Sequence, residues 1–186
     1  MTTTRDRLLD AVRESAFEGS LDDLTPSSIA RRAGTHRVTF YRFFADLQDA
    51  VMQAFTAEID RLSSVDDERV AGVTSVEALA RIYGGTLEES LVDIRDHRAV
   101  YRSLFATPAF QSHVLGVLRG RAATMVTTLE RAGIPVPGAE SGTAADFVGG
   151  ASLSVLSAWA ADERTDVAAR AAEIIDQMPA WWPRAG

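Results

Sequence analysis

Cysteine and lysine do not occur in this sequence, and histidine occurs only three times. Without cysteine there is no disulfide framework, no thiol nucleophile and no cysteine metal site, which is compatible with a reducing compartment. Without lysine, every basic residue other than histidine is an arginine, and no function is read from that. None of His36, His97 and His113 stands in a metal-ligand spacing such as H-E-x-x-H. Gly150-Ala151-Ser152-Leu153-Ser154 lacks the last glycine of a G-x-S-x-G nucleophile elbow, and no glycine-rich phosphate loop precedes a helix. The expectation is a non-enzyme with no catalytic residue, no metal and no cofactor. Long hydrophobic runs are also missing. The most apolar stretch, residues 147–161, is too short for a bilayer and carries serines. The beginning, MTTTRDRLLD, is too polar for a secretory signal. These absences lead to the expectation of a cytoplasmic protein with no membrane partner.

What is present is helical. In 186 residues with a formal net charge of -7, apolar residues recur at helical spacing and no segment needs to be a strand, giving an all-α reading of about nine helices. The chain is long enough for a small head and a larger body. One stretch stands out, TPSSIARRAGTHRVTFYRFF at residues 25–44. Thr25 is suited to cap a helix and Pro26 to its first turn. Ile29, Ala30 and Ala33 form an apolar stripe, and Gly34 is a natural stop. A second helix begins near Thr35 or His36, with Phe40 and Phe44 on one face and Arg37, Val38, Tyr41 and Arg42 pointing elsewhere. Two short helices joined at a glycine make a helix-turn-helix pattern. From 24 to 45 there is no acidic residue, yet Arg31, Arg32, Arg37 and Arg42 all fall there. A basic island in an acidic chain is what contact with phosphate requires.

Residues 5–59 resemble the N-terminal domain of the tetracycline-repressor (TetR) family of transcription regulators. The matching pieces are LLDAVRESAFEG, LTPSSIARRAG and THRVTFYRFFADLQDAV. Thr25, Ile29, Ala30, Ala33, Gly34, Thr39, Tyr41 and Phe44 keep the spacing of the family signature T-x-x-x-I-A-x-x-A-G-V-S-x-G-T-L-Y-x-x-F. Three departures from the family pattern matter. Val38 replaces the usual glycine, His36 the usual serine, and Leu47 the lysine that often opens the next helix. The first two fall where the family reads bases, so no relative's operator carries over. The resemblance implies a three-helix helix-turn-helix head and a ligand-binding and dimerisation body. It also implies a homodimer on a palindromic operator in double-stranded DNA, and a repressor released by a small-molecule effector. The competing reading is a helical dimerisation or protein-interaction module without small-molecule sensing.

The head is expected at 1–45 and the body at 46–186, with helix 46–63, capped by Asp46, as connector. Thr25, Ser27, Thr35, His36, Arg37, Val38, Thr39, Tyr41 and Arg42 are the candidate DNA contacts, Thr25 and Ser27 because a helix N-terminus favours phosphate. Residues 64–72 read as a loop, and Thr74 with Glu77 as a capping box. Gly84 and Gly85 interrupt the next helical pattern, with close packing the favoured reason. Pro108 opens a long helix, and Thr165 caps the last one. Tyr83, Tyr101, Leu104, Phe105, Phe110, His113, Met125 and Trp159 are candidate pocket residues, and an apolar or aromatic ligand is mildly favoured because no arginine stands out in an apolar stripe. Phe147, Ala151, Val155, Trp159, Ala171 and Ile175, on the last two helices, are candidate dimer contacts.

Overall fold

In a computed structural model the described residues are 2–65, 70, 73 and 75–184. Among them there are nine α-helices and no strand. The chain divides into two compact units, Met1–Glu58 and Ile59–Gly186.

The first unit starts with α1 (Thr4–Glu18), fixed by a capping box in which Thr3 Oγ1 accepts from Asp6 N and Asp6 returns a carboxylate oxygen to Thr3 N. After a 3-10 turn at Leu21–Asp23 come α2 (Pro26–Arg32), α3 (Arg37–Phe43) and α4 (Leu47–Ser63). None of the short helices is stable alone, so they share one core. Leu8, Val12, Ala16, Ile29, Phe40, Phe44 and Phe55 are buried, and Phe55 meets Phe17 edge-on at 5.5 Å between centroids. Leu21 at the edge of this core is only half-buried. Glu58 is buried on α4 and accepts a 2.6 Å hydrogen bond from Arg13 Nη1. The first three turns of α4 group with this unit, and the division into compact units falls inside α4.

The second unit contains α5 (Val76–Asp96), α6 (Arg98–Phe105), α7 (Pro108–Arg131), α8 (Thr143–Ala161) and α9 (Val167–Gln177). Most of the expected loop at 64–72, and Thr74, lie outside the described residues. Ser75 caps α5 by accepting from Ala78 N. Val76, the first residue of α5, is exposed. Asp166 rather than Thr165 caps α9, because its carboxylate reaches Ala169 N at 3.0 Å. A core of Leu79, Met125, Val126, Leu129, Ala144, Ala145 and Val148 joins α5, α7 and α8, and Trp181 and Trp182 pack against it. By length and composition alone α8 is long and apolar enough to cross a membrane, longer than the 147–161 run suggested. It packs instead against α5, α6 and α7.

The glycines divide sharply. Helix α5 runs unbroken through Gly84–Gly85. A Cβ at Gly84 would make an ordinary 3.9 Å contact with Ile175 Cδ1, and one at Gly85 meets nothing within 4 Å, so close packing requires neither. Gly149 is different. A Cβ there would stand 2.9 Å from both N and Cα of Arg119, main-chain atoms that cannot rotate away. Helices α7 and α8 approach each other at this point because residue 149 has no side chain. Gly149→Ala is expected to destabilise the protein by about 1–3 kcal/mol through overpacking. Gly150→Ala, which faces open space, should be neutral or stabilising by about 0.5–1 kcal/mol. Urea unfolding of the pair checks the contrast.

Candidate nucleic-acid interface and effector cleft

The interface is built from its turn. Thr25 Oγ1 accepts from Ser28 N, and Ser28 Oγ accepts from Thr25 N, both at 3.1 Å. This reciprocal cap starts α2 with Pro26 in its first position. At the other end Gly34 takes φ +65°. Gly34 N donates to Arg31 O and Thr35 N to Ala30 O, at 3.1 and 2.8 Å. That hydrogen-bond pair is the Schellman stop, and glycine is the residue that adopts its left-handed position without strain. The chain then enters α3 at Arg37 with His36 in the capping position, where its side chain makes no capping hydrogen bond.

Within α3, Phe40 turns inward against Phe44, with ring centroids 5.2 Å apart. That choice fixes the opposite face. Arg37, Val38, Tyr41 and Arg42, at helical positions i, i+1, i+4 and i+5, share the outward arc. Val38 is 75% exposed and Tyr41 46%. His36, Arg37 and Arg42 are exposed as well, and Thr39 and Thr35 are half-buried. Thr25 and Ser27 are exposed at the start of α2. The structure therefore brings the α3 candidates onto one surface. Arg37 Nη2 donates to the Tyr41 hydroxyl at 3.2 Å, and its guanidinium lies 5.5 Å from the Tyr41 ring centroid. The arginine is thus held against the ring face before any partner arrives.

The four arginines of the basic island are not equivalent. Arg32 is clamped to α1, with Nε donating to Glu14 at 3.1 Å and both terminal nitrogens to the Glu18 carboxylate. Hydrogen bonds donated by Arg32 hold the Glu18 carboxyl below its ordinary range, and the same bonds, to Glu18 and then Glu14, raise Arg32. Its charge is spent inside the unit. Among the described residues, Arg31, Arg37 and Arg42 make no ion pair with a carboxylate. Two features escaped the sequence reading. Arg7 Nη1 would lie 3.8 Å from a Cβ at Gly34, placing another cation at the turn. Phe43 is 36% exposed beside the arc. A chain of hydrogen bonds then secures the corner after α3: Ala45 N to Asp49, Gln53 to Asp49 at 2.8 Å, and Arg5 to Gln53 at 2.5 Å. Asp46 accepts from Asp49 N, the cap expected for α4.

The expected pocket residues are divided between a packed core and a cleft. Tyr101, Leu104, Phe105, Phe110 and Trp159 are buried and packed. Tyr101 donates its hydroxyl to Asp93, and the Trp159 indole N–H donates to Leu91 O at 2.8 Å. Phe105 stacks on Tyr101 and meets Phe110 edge-on. Their polar tips are satisfied internally, so these side chains fill a core. His113 is exposed, with Nδ1 at 2.8 Å from Ala109 O. One cleft of this unit, with room for about 100 Å³, opens among α5, α7, α8 and α9 beside Ser63 of α4. Of the expected residues, Tyr83 and Met125 line it, joined by Leu118, Arg121, Val155 and Trp182 among others. Arg121 was the missed signal: Leu118, Arg121, Ala122 and Met125 occupy one face of α7 at helical spacing, and the arginine interrupts that stripe.

Of the expected dimer contacts, Trp159 and Ala171 are sealed within the chain at 0% and 1% exposure, so neither is a surface position. Phe147 is 58% exposed. With the half-buried Ala151 and Val155 it lines a groove along α8 and α9 whose rim carries Arg170, Glu173 and Gln177. Ile175 is half-buried on α9. His97 Nδ1 approaches Asp93 at 3.2 Å, but among the described residues no three His, Asp or Glu side chains gather for a metal.

No protein-family profile matches the sequence, and no curated protein matches it. Solved structures do match. The transcriptional regulator FadR from Bacillus subtilis, in complex with stearoyl-CoA, is 15% identical, covers 94% of this chain and 97% of its own, and superposes with a TM-score of 0.62. SmeT, the repressor of the Stenotrophomonas maltophilia multidrug efflux pump SmeDEF, is 18% identical over 99% of this chain and 92% of its own, with a TM-score of 0.61. A TetR-family transcriptional regulator from Streptomyces coelicolor is 17% identical over 93% and 78%, with a TM-score of 0.60. The chain has the TetR-family fold. Within that fold α2 and α3 are the helix-turn-helix pair, and α5–α9 form the helical body.

Proposed function

We propose that the chain is a DNA-binding transcription regulator that acts as a homodimer on a palindromic operator and represses until a small-molecule effector releases it. The observation that carries the reading is the outward arc of α3. It presents Arg37, Val38, Tyr41 and Arg42 together, with no acid on the helix, on a turn set by Gly34. Arg37 and Arg42 meet phosphate or guanine, Tyr41 meets phosphate, and His36, Val38 and Thr39 meet base edges or methyl groups. A single head reads too few base pairs for tight specific binding, whereas a two-fold pair reads two half-sites about 34 Å apart. The groove along α8 and α9 is the surface for that pairing. The body cleft is the effector site, and the stearoyl-CoA bound by the neighbour FadR supports a ligand-holding body.

A salt titration of duplex binding is the deciding experiment. A DNA binder loses affinity linearly in log–log form, with a slope of roughly -0.9 per phosphate neutralised. Arg37→Ala and Arg42→Ala should each reduce the slope by about 1. Arg32→Ala, whose partner is α1, should leave the slope unchanged and lower the melting temperature. Random duplex that fails to bind at low salt would favour the protein-interaction module instead. The dimer has its own check. Phe147→Asp puts a charge into the groove and should shift sedimentation at micromolar concentration from dimer to monomer; a wild-type monomer at that concentration would overturn the pairing.

A further inference from the structure

The cleft wall is apolar except for a few hydroxyls and one charge. Among the lining residues Arg121 is the single ionic group. Its guanidinium is engaged at one edge: Nε and Nη2 donate to the two carboxylate oxygens of Asp60 at 2.8 and 2.7 Å. Asp60 does not line the cleft; it sits on α4, the helix in which the two units divide. Ser90 and Thr86, the hydroxyls nearest in sequence along α5, donate to main-chain carbonyls of their own helix. Arg121 is therefore the strong donor that the cleft offers a ligand.

We propose that the cleft binds a small amphipathic carboxylate whose headgroup takes the place of Asp60 on Arg121, and that this exchange releases α4 from α7. The inference rests on the reading of the cleft as the effector site. A guanidinium fork matches a carboxylate bidentately, and the Asp60 geometry shows Arg121 already arranged for that pairing. A neutral ligand makes no use of the charge, and a cation is repelled by it. The room of about 100 Å³ lies below the 300–1,000 Å³ typical of drug-sized sites, which selects a small acid such as an arylalkanoate or a short-chain acid. Arg121 and Asp60 are 34% and 45% exposed, so solvent screens their attraction and the exchange is cheap. Release follows because the Arg121 side chain cannot hold both carboxylates on one edge of its fork.

The test titrates the full-length protein by calorimetry and thermal shift with benzoate, 3-phenylpropanoate and hexanoate, each beside its primary amide. Wild type, Asp60→Asn and Arg121→Gln are compared. At least one acid should bind wild type about tenfold more tightly than its amide, as a charge-assisted hydrogen bond allows. Asp60→Asn removes the internal competitor and should tighten the acid about fivefold while leaving the amide unchanged. Arg121→Gln should bring the acid to the affinity of the amide, and retained amide binding shows that this variant's cleft is intact. Amides that bind as well as acids would overturn the carboxylate class yet keep the cleft as a ligand site. An acid preference that Asp60→Asn leaves untouched would overturn the exchange. No binding by any probe to wild type or Asp60→Asn, with duplex binding intact, would overturn both the inference and the effector reading of the cleft, and leave the DNA reading standing.

Discussion

Phe40→Ala is expected to abolish duplex binding and to cost about 3–5 kcal/mol of stability. Phe40 is fully buried and contacts Phe44 and Tyr41, at 5.2 and 5.4 Å between centroids. Its removal opens a cavity between α3 and the helices that support it. The size of the unit decides the outcome. A domain near 60 residues buries only about 60% of its surface on folding, and its total stability at typical values is roughly 3–9 kcal/mol. A loss of that order leaves much of Met1–Glu58 unfolded, and the arc of Arg37, Val38, Tyr41 and Arg42 disperses with it. Circular dichroism should show an early helical transition, and binding to duplex at low salt should vanish. Val38→Ala is the matched control. At 75% exposure it should leave the melt unchanged and alter only sequence preference. A Phe40→Ala protein that melts and binds as wild type would remove α3 from the head's structural core.

Trp159→Ala should be the most damaging substitution in the body, again by about 3–5 kcal/mol for the lost side chain. A further about 0.5–1.5 kcal/mol comes from the lost indole hydrogen bond to the Leu91 carbonyl, which keeps its own helical partner. Arg98, whose guanidinium lies 5.1 Å from the Trp159 ring centroid, loses its aromatic surface too. Trp159→Phe separates the contributions, because it keeps most of the volume and removes the donor. Guanidinium unfolding at two protein concentrations adds a second discrimination. The loss belongs to the interior of one chain and should not depend on concentration, whereas the effect of Phe147→Asp should. A concentration-dependent loss at Trp159 would return this residue to the subunit interface.

The parts of the fold that were legible in the sequence are those determined locally. Helix α4 starts at the cap expected from Asp46, and α7 opens at the expected Pro108. The turn at Gly34 follows from residues within ten positions of it, as does the inward placing of Phe40 and Phe44. What the sequence hid depends on distant partners. Arg32 looks like its neighbours until Glu14 and Glu18, 18 and 14 positions away, close on it. Tyr101, Phe105, Phe110 and Trp159 have the composition of a pocket. Packing decides that they are a core, since aromatic side chains with polar tips suit either use and only satisfied hydrogen bonds tell them apart. Arg121 is the converse case. Its place on the apolar face of α7 was readable from spacing, but the significance of that place depends on Asp60, 61 positions away.

The placing of the tryptophans gives the molecule a built-in optical asymmetry. All three indoles, Trp159, Trp181 and Trp182, belong to Ile59–Gly186, and Tyr41 is the one tyrosine of Met1–Glu58. Under excitation that only indole absorbs, the head is dark. Trp159 is sealed and hydrogen-bonded, so its emission should be blue and indifferent to quenchers. Trp181 and Trp182 are half-buried, and Trp182 borders the cleft. Melting of the head alone is silent in this signal. An emission change on adding duplex therefore reports the body responding to an event at the head, without any attached dye.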